Sequence, residues 1–119
     1  MIHHVSVGTN DVARSKRFYD AVLPIVGIVP MAEDEGGLGY GSGTFHFSVQ
    51  VPIDGKPATV GNGTHIAFAV EDRSMVNRFY AAALNMVAAT MALLGCGRTM
   101  MRTIMELSSA IRTVTRSRP

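Results

Sequence analysis

The feature that most constrains this chain is an internal repeat. Residues 4–23 read HVSVGTNDVARSKRFYDAVL, and residues 65–84 read HIAFAVEDRSMVNRFYAAAL. At a constant offset of 61, without a gap, His4/His65, Asp11/Asp72, Arg17/Arg78, Phe18/Phe79, Tyr19/Tyr80, Ala21/Ala82 and Leu23/Leu84 are identical. Generic strand-then-helix patterning explains shared apolar positions. It does not explain a shared His, Asp and Arg-Phe-Tyr in one register, so the segments read as a duplication.

Each copy reads as strand, turn and helix. Val5 and Val7 alternate with His4, Ser6 and Gly8, and Ile66, Phe68 and Val70 alternate with His65, Ala67 and Ala69 in the same phase. Asp11 and Asp72 suit helix N-caps, where a carboxylate accepts the first free backbone amides. Val12, Tyr19, Val22 and Leu23 form an apolar stripe on the first helix; Val76, Phe79, Tyr80 and Ala83 form one on the second. Three more strands are predicted after the first helix: Ile28–Ala32, Gly39–Gly41 and Phe45–Val51. The last alternates Phe45, Phe47, Val49 and Val51 against His46, Ser48 and Gln50. The stretch GGLGYGSG reads as a twisted strand and turn; no helix follows it, so it is no dinucleotide fingerprint. The expected fold class is α+β, built from paired βαβββ modules. Residues 1–52 form module one, 52–63 a linker rich in Pro and Gly, 63–84 the start of module two and 85–119 an atypical tail.

Composition sets the outer bounds. A chain of 119 residues and 12.7 kDa suits one domain, and its one cysteine excludes an intramolecular disulfide. No apolar run reaches membrane-spanning length, and Asn10 and Asp11 interrupt the start before a signal-peptide core forms. A cytoplasmic protein without a membrane partner is expected. The net charge of +2 hides an asymmetry. Residues 1–85 hold six Lys/Arg against eight Asp/Glu, and residues 86–119 hold five Arg against one Glu. All eight aromatics precede residue 86, so the basic tail lacks the stacking rings that accompany nucleic-acid binding, and no nucleic-acid partner is expected.

The histidines carry the chemistry. A lone strand histidine is more often structural than a ligand, but His4 and His65 occupy equivalent places in duplicated strands. If those strands pair about a pseudo-twofold axis, the two imidazoles converge on one cavity. Neutral imidazoles suit a divalent Zn, Ni, Fe or Mn, which needs further ligands, often a carboxylate. His46 is a third candidate, and His3 should point to the opposite face from His4. Ser6, Ser48 and Gln50 share the polar phase and are candidate substrate-binding residues. No catalytic group can be named.

The His4-V-S-V-x-x-x-Asp11 start, the Arg-Phe-Tyr helix and G-T-His65-I-A-F-A-V-E-Asp72 resemble the vicinal oxygen chelate superfamily of glyoxalase I, bleomycin-resistance proteins and extradiol dioxygenases. The resemblance covers residues 1–84. It implies that His4 and His65 are metal ligands, that the ligand is a small molecule, and that two copies form a homodimer. It also implies a metal-dependent lyase or dioxygenase, with a non-catalytic sequestering protein of bleomycin-resistance type as the alternative. Glyoxalase I carries a Glu on the last strand of module one. Here that strand reads TFHFSVQV, and His46 stands as the substitute. The family's final Glu, within a DPDG-x-x-x-E-like ending, is absent.

The tail departs from the repeat. Adding 61 to the later strands of module one predicts strands within 87–112, yet VAATMALLGCGRTMMRTIMELSSAIR has no aromatics and no alternation. Met86–Leu94 and Met100–Ile111 instead have helical composition. Cys96, between two glycines, has no visible partner. Joining the third base of each codon to the first two of the next tests for a lost reading frame. Met100–Met101 must then give GAT (Asp), and Met105–Glu106 must give GGA (Gly). Met86–Val87 and Met91–Ala92 must both give Gly. With permitted wobble bases, residues 99–119 re-read as YDADYYGAFVRDPDGNKIEA, a family-like ending. The expectation is that residues from about 85 onward are a frameshift product.

Overall fold

The computed structural model describes residues 1–59 and 61–94, with side chains described as far as Val87. The chain divides into two compact units, Met1–Val60 and Gly61–Pro119, parted within the stretch read as a linker.

The first unit is a βαβββ module. In chain order it holds strand β1 (Val5–Gly8), helix α1 (Val12–Val22), a 3-10 turn (Leu23–Val26), and strands β2 (Val29–Asp34), β3 (Gly37–Ser42) and β4 (Thr44–Gln50). The strands form one sheet in the order β1-β4-β3-β2, with β1 parallel to β4 and the other pairs antiparallel. This is the expected α+β module, and strand ends differ from expectation by at most two residues.

Helix α1 starts as its sequence dictates. The Asp11 carboxylate accepts the Arg14 amide at 2.9 Å. Thr9 holds the turn before it: its amide donates to the Gln50 carbonyl at 2.9 Å, extending the β1–β4 ladder, and its hydroxyl lies 2.6 Å from that of Ser15. Pro24 then stops the helix, since proline has no amide for a further turn. Gly27 closes the 3-10 turn at φ +81, a left-handed conformation that costs other residues more.

Register assigns the two faces of the sheet. Val5 pairs with Phe47, Val7 with Val49, Leu38 with Val49 and Tyr40 with Phe47. These side chains share the face on which α1 packs, against Phe18, Val22 and Leu23. Val22 and Leu23 are fully buried, as the predicted stripe requires. Phe18, outside that stripe, is buried as well, and Leu23 belongs to the 3-10 turn rather than to α1. Tyr19 packs on Tyr40 and Phe47, with ring centroids 6.0 and 5.3 Å apart. The Tyr40 hydroxyl donates to Asp20 at 2.9 Å, and Lys16 bridges Asp20 and Glu33 on the surface. Edge strand β2 carries Pro30 and a bulge at Met31, two devices that blunt an edge.

The second unit repeats the first only in part. Helix α2 (Arg73–Leu94) begins at the position that the offset of 61 makes equivalent to Val12. Asp72 accepts the Met75 amide at 2.9 Å, the counterpart of Asp11 and Arg14. Hydrogen bonds from the Ser74 hydroxyl and the Met75 amide hold the Asp72 carboxyl below its ordinary value. Phe79 and Ala83 are buried like Phe18 and Val22, but Tyr80 is 46% exposed and leaves the predicted stripe. The strand expected over Ile66–Val70 does not form. Ile66, Phe68 and Val70 are still less exposed than His65, Ala67 and Ala69, so the alternation survives without a ladder. A strand needs a neighbour for its amides, and none pairs with this segment among the described residues. Position 85, equivalent to Pro24, is Asn, so α2 runs on for 22 residues through the predicted helical stretch to Leu94. The Met100–Ile111 helix and Cys96 lie outside the described residues. No described helix is long and apolar enough to cross a membrane.

Burial pushes the Tyr19 phenol up to about 12 and the Tyr40 phenol higher still, the latter with help from its bond to Asp20. The unfolded chain loses these protons near pH ~10 while the fold keeps them. Stability should therefore be full below pH ~10 and fall as pH rises towards ~12, by up to about 1.4 kcal/mol per pH unit for each tyrosine. Denaturant unfolding across that range checks this, and Tyr19→Phe should flatten the fall.

Candidate functional site

The sheet face turned away from α1 carries the candidate residues of the first unit. On β1 and β4 these are Ser6, Ser48 and Gln50, and Ser6 pairs with Ser48. Their hydroxyls meet at 2.5 Å, and Ser48 is almost fully buried. The expected polar pair is thus real, but each hydroxyl is already engaged by the other. Gln50 is exposed, opposite Gly8 on one side and Gly37 on the other.

A bulge rearranges the top of this face. Tyr40 pairs with Phe47, but the next residue, Gly41, pairs with Phe45, which leaves His46 with no opposite number on β3. Below the bulge, side chains alternate as predicted. Beyond it the phase reverses, as an inserted residue must make it do. Phe45 therefore shares the face of Ser48 instead of that of Phe47. A methyl placed on Gly39 would lie 2.5 Å from the Phe45 ring, and one on Gly41 would collide with the Thr44 carbonyl. The glycines of GGLGYGSG thus make room for a ring and a tight turn.

The histidines are placed accordingly. His4 is exposed just before β1 and meets Phe45 edge-to-face, ring centroids 4.8 Å apart. His3 does not point away from it: the two Nδ1 atoms are 2.8 Å apart. The expected alternation fails here because β1 starts only at Val5. His46 is exposed on the bulge, its Nε2 3.2 Å from the Thr44 hydroxyl. His65 belongs to the second unit, where it is exposed after the turn closed by the Thr64 amide and Gly61 carbonyl.

These residues do not fit the metal that the resemblance implies. The open face of the module-one sheet presents glycines, serines, Gln50 and Phe45, with no carboxylate. Among the described residues no three His, Cys, Asp or Glu side chains gather as a metal-binding group. A divalent ion held by protein needs about three such donors or more. Sequence reasoning missed Phe45 and His3. The signal for Phe45 was the glycine run itself, since glycines in a strand mark a bulge or close approach.

No family model matches this chain, and no curated protein matches it. A solved structure does. It is described as a glyoxalase/bleomycin resistance protein from Albidiferax ferrireducens T118, with 40% identity and a TM-score of 0.66. The match covers 71% of this chain and 70% of that one. The chain belongs to the glyoxalase/bleomycin resistance family. The βαβββ module and its topology are thus a family scaffold, and the likeness supports the vicinal oxygen chelate superfamily.

The contact between Gly39 and Phe45 is open to a double-mutant cycle. Gly39→Ala should cost about 1–3 kcal/mol by overpacking, as measured by urea unfolding. In a Phe45→Ala background most of that cost should vanish, because the two residues share one space.

Proposed function

We propose that this family member binds a small molecule and holds it without transforming it, in the manner of a bleomycin-resistance protein. One observation carries this reading. The open face of the module-one sheet offers hydroxyls, an amide and an aromatic ring, but no carboxylate to complete a metal site or move a proton. Such a surface suits recognition. Phe45 and His4 give a ring edge and face for flat apolar groups, while Gln50 supplies a donor and an acceptor. Ser6 and Ser48 bond to each other, which keeps that stretch of the face fully satisfied. General acid–base catalysis needs a titratable group within reach of a reacting atom, and the residues facing this side supply only imidazole.

The metal-dependent alternative makes the opposite demand on His4, His65 and His46. The test uses the purified chain exposed to Zn, Ni, Fe or Mn and then desalted. It should retain no stoichiometric metal, and His4→Ala and His65→Ala should leave its metal content unchanged. Bleomycin, as the probe, should bind by calorimetry and be recovered intact. The hemithioacetal of methylglyoxal and glutathione should not be turned over. One equivalent of metal, lost in both histidine variants, would overturn the binding-only reading in favour of a lyase or dioxygenase.

A further inference from the structure

We infer that the residues after Leu84 are the out-of-frame translation of a second βαβββ module, and that the frame one nucleotide away encodes the strands that Ile66–Val70 lacks as partners. This goes beyond the binding reading and does not depend on it. Four observations meet at the same point in the chain.

The first is where equivalence stops. Through residue 84 the second unit repeats the first in detail. The cap bond from Asp72 to Met75 matches Asp11 to Arg14, and the helices start at equivalent positions, Val12 and Arg73. After residue 84 no residue of the repeat continues. The second is the structural match. It covers 71% of this chain, the same share that the legible segment, residues 1–84, makes up. It covers 70% of the relative, so that protein holds a further stretch with no counterpart here.

The third is the second helix. In module one, Pro24 and Gly27 end the helix and turn the chain into β2. At the offset of 61 these fall at Asn85 and Ala88, and α2 runs on to Leu94. The alternative frame replaces this helical stretch with a breaker. Met86–Val87 can give only GGT, a glycine, because methionine has one codon and every valine codon begins with GT. That forced glycine lies one residue from the place equivalent to Gly27. Met91–Ala92 likewise forces GGC, again glycine. The fourth is the stranded segment. Ile66, Phe68 and Val70 keep the exposure pattern of a strand with one covered face, yet make no ladder. The alternative frame admits aromatics and alternation over 99–119, where the present frame has neither.

One inserted nucleotide between the second and third bases of codon 84 converts the present frame into the other and leaves Leu84 unchanged. The decisive comparison is between two whole purified chains, the present one and the one from the gene carrying that insertion. The restored chain should gain strand signal in its far-ultraviolet spectrum. It should also unfold cooperatively, with a midpoint higher by roughly 10 °C or more. Sequencing of the encoding DNA should show the extra nucleotide near codon 84. Failing that, tryptic peptides from the source cells should carry the alternative frame, which would place the shift at the ribosome. A restored chain no more stable than the present one, or cellular peptides matching the present tail alone, would overturn the inference. Metal retention and probe binding by the present chain test the binding reading separately, so the two can fail independently.

Discussion

The parallel pairing of β1 with β4 is the constraint on which the first unit depends. It joins the start of the module to its end and sets Val5 and Val7 beside Phe47 and Val49. A parallel pair cannot be closed by a tight turn, so the chain must cross over the sheet between its members. Helix α1 begins that crossover, and the face it covers becomes the core. The Thr9 amide prolongs the same ladder by donating to Gln50, while the Thr9 hydroxyl braces the cap of α1. Ladder, cap and helix are one continuous arrangement. The second unit shows the converse: its cap and helix form, but its first apolar alternation has no ladder to join.

The bulge at His46 divides one strand between two tasks. Towards Gln50, β4 lays Phe47 and Val49 into the core and Ser48 on the far side. Towards Thr44 the same strand turns Phe45 outward, over Gly39 and beside His4. A regular strand would have put His46 beside His4 and kept every phenylalanine in the core. One inserted residue exchanges an imidazole for a benzene ring at the open face. That exchange moves the chemistry of the face from coordination towards apolar recognition.

Much of this was legible in the residues. The order βαβββ followed from period-two and period-3.6 apolar patterns, and both N-caps followed from Asp11 and Asp72. Gly39 and Gly41 also announced that something comes close to β3. What approaches them was not legible, because the alternation of β4 is unbroken in the sequence. The bulge exists only in the offset between β4 and β3, a relation between two segments far from each other in the pairing plan. His3 was misplaced for a simpler reason: strand alternation was carried two residues past the end of the ladder. The strand at Ile66–Val70 shows the same limit. Pattern states a preference, and partners decide whether it is realised.

The two margins of the module-one sheet are unlike, and this governs how such sheets can add to one another. At β2, Pro30 lacks an amide and Met31 steps out of register, so a new strand finds no regular row of donors there. At β1 the row is short but unbroken. A sheet that can be extended from one margin only cannot polymerise. Joined through β1, two copies exhaust the addition in a single step, because each then presents β2 at its outer limit. Indefinite growth into fibres requires two receptive margins per molecule. Pro30 and Met31, distant from every candidate ligand contact, therefore act as a terminator of assembly.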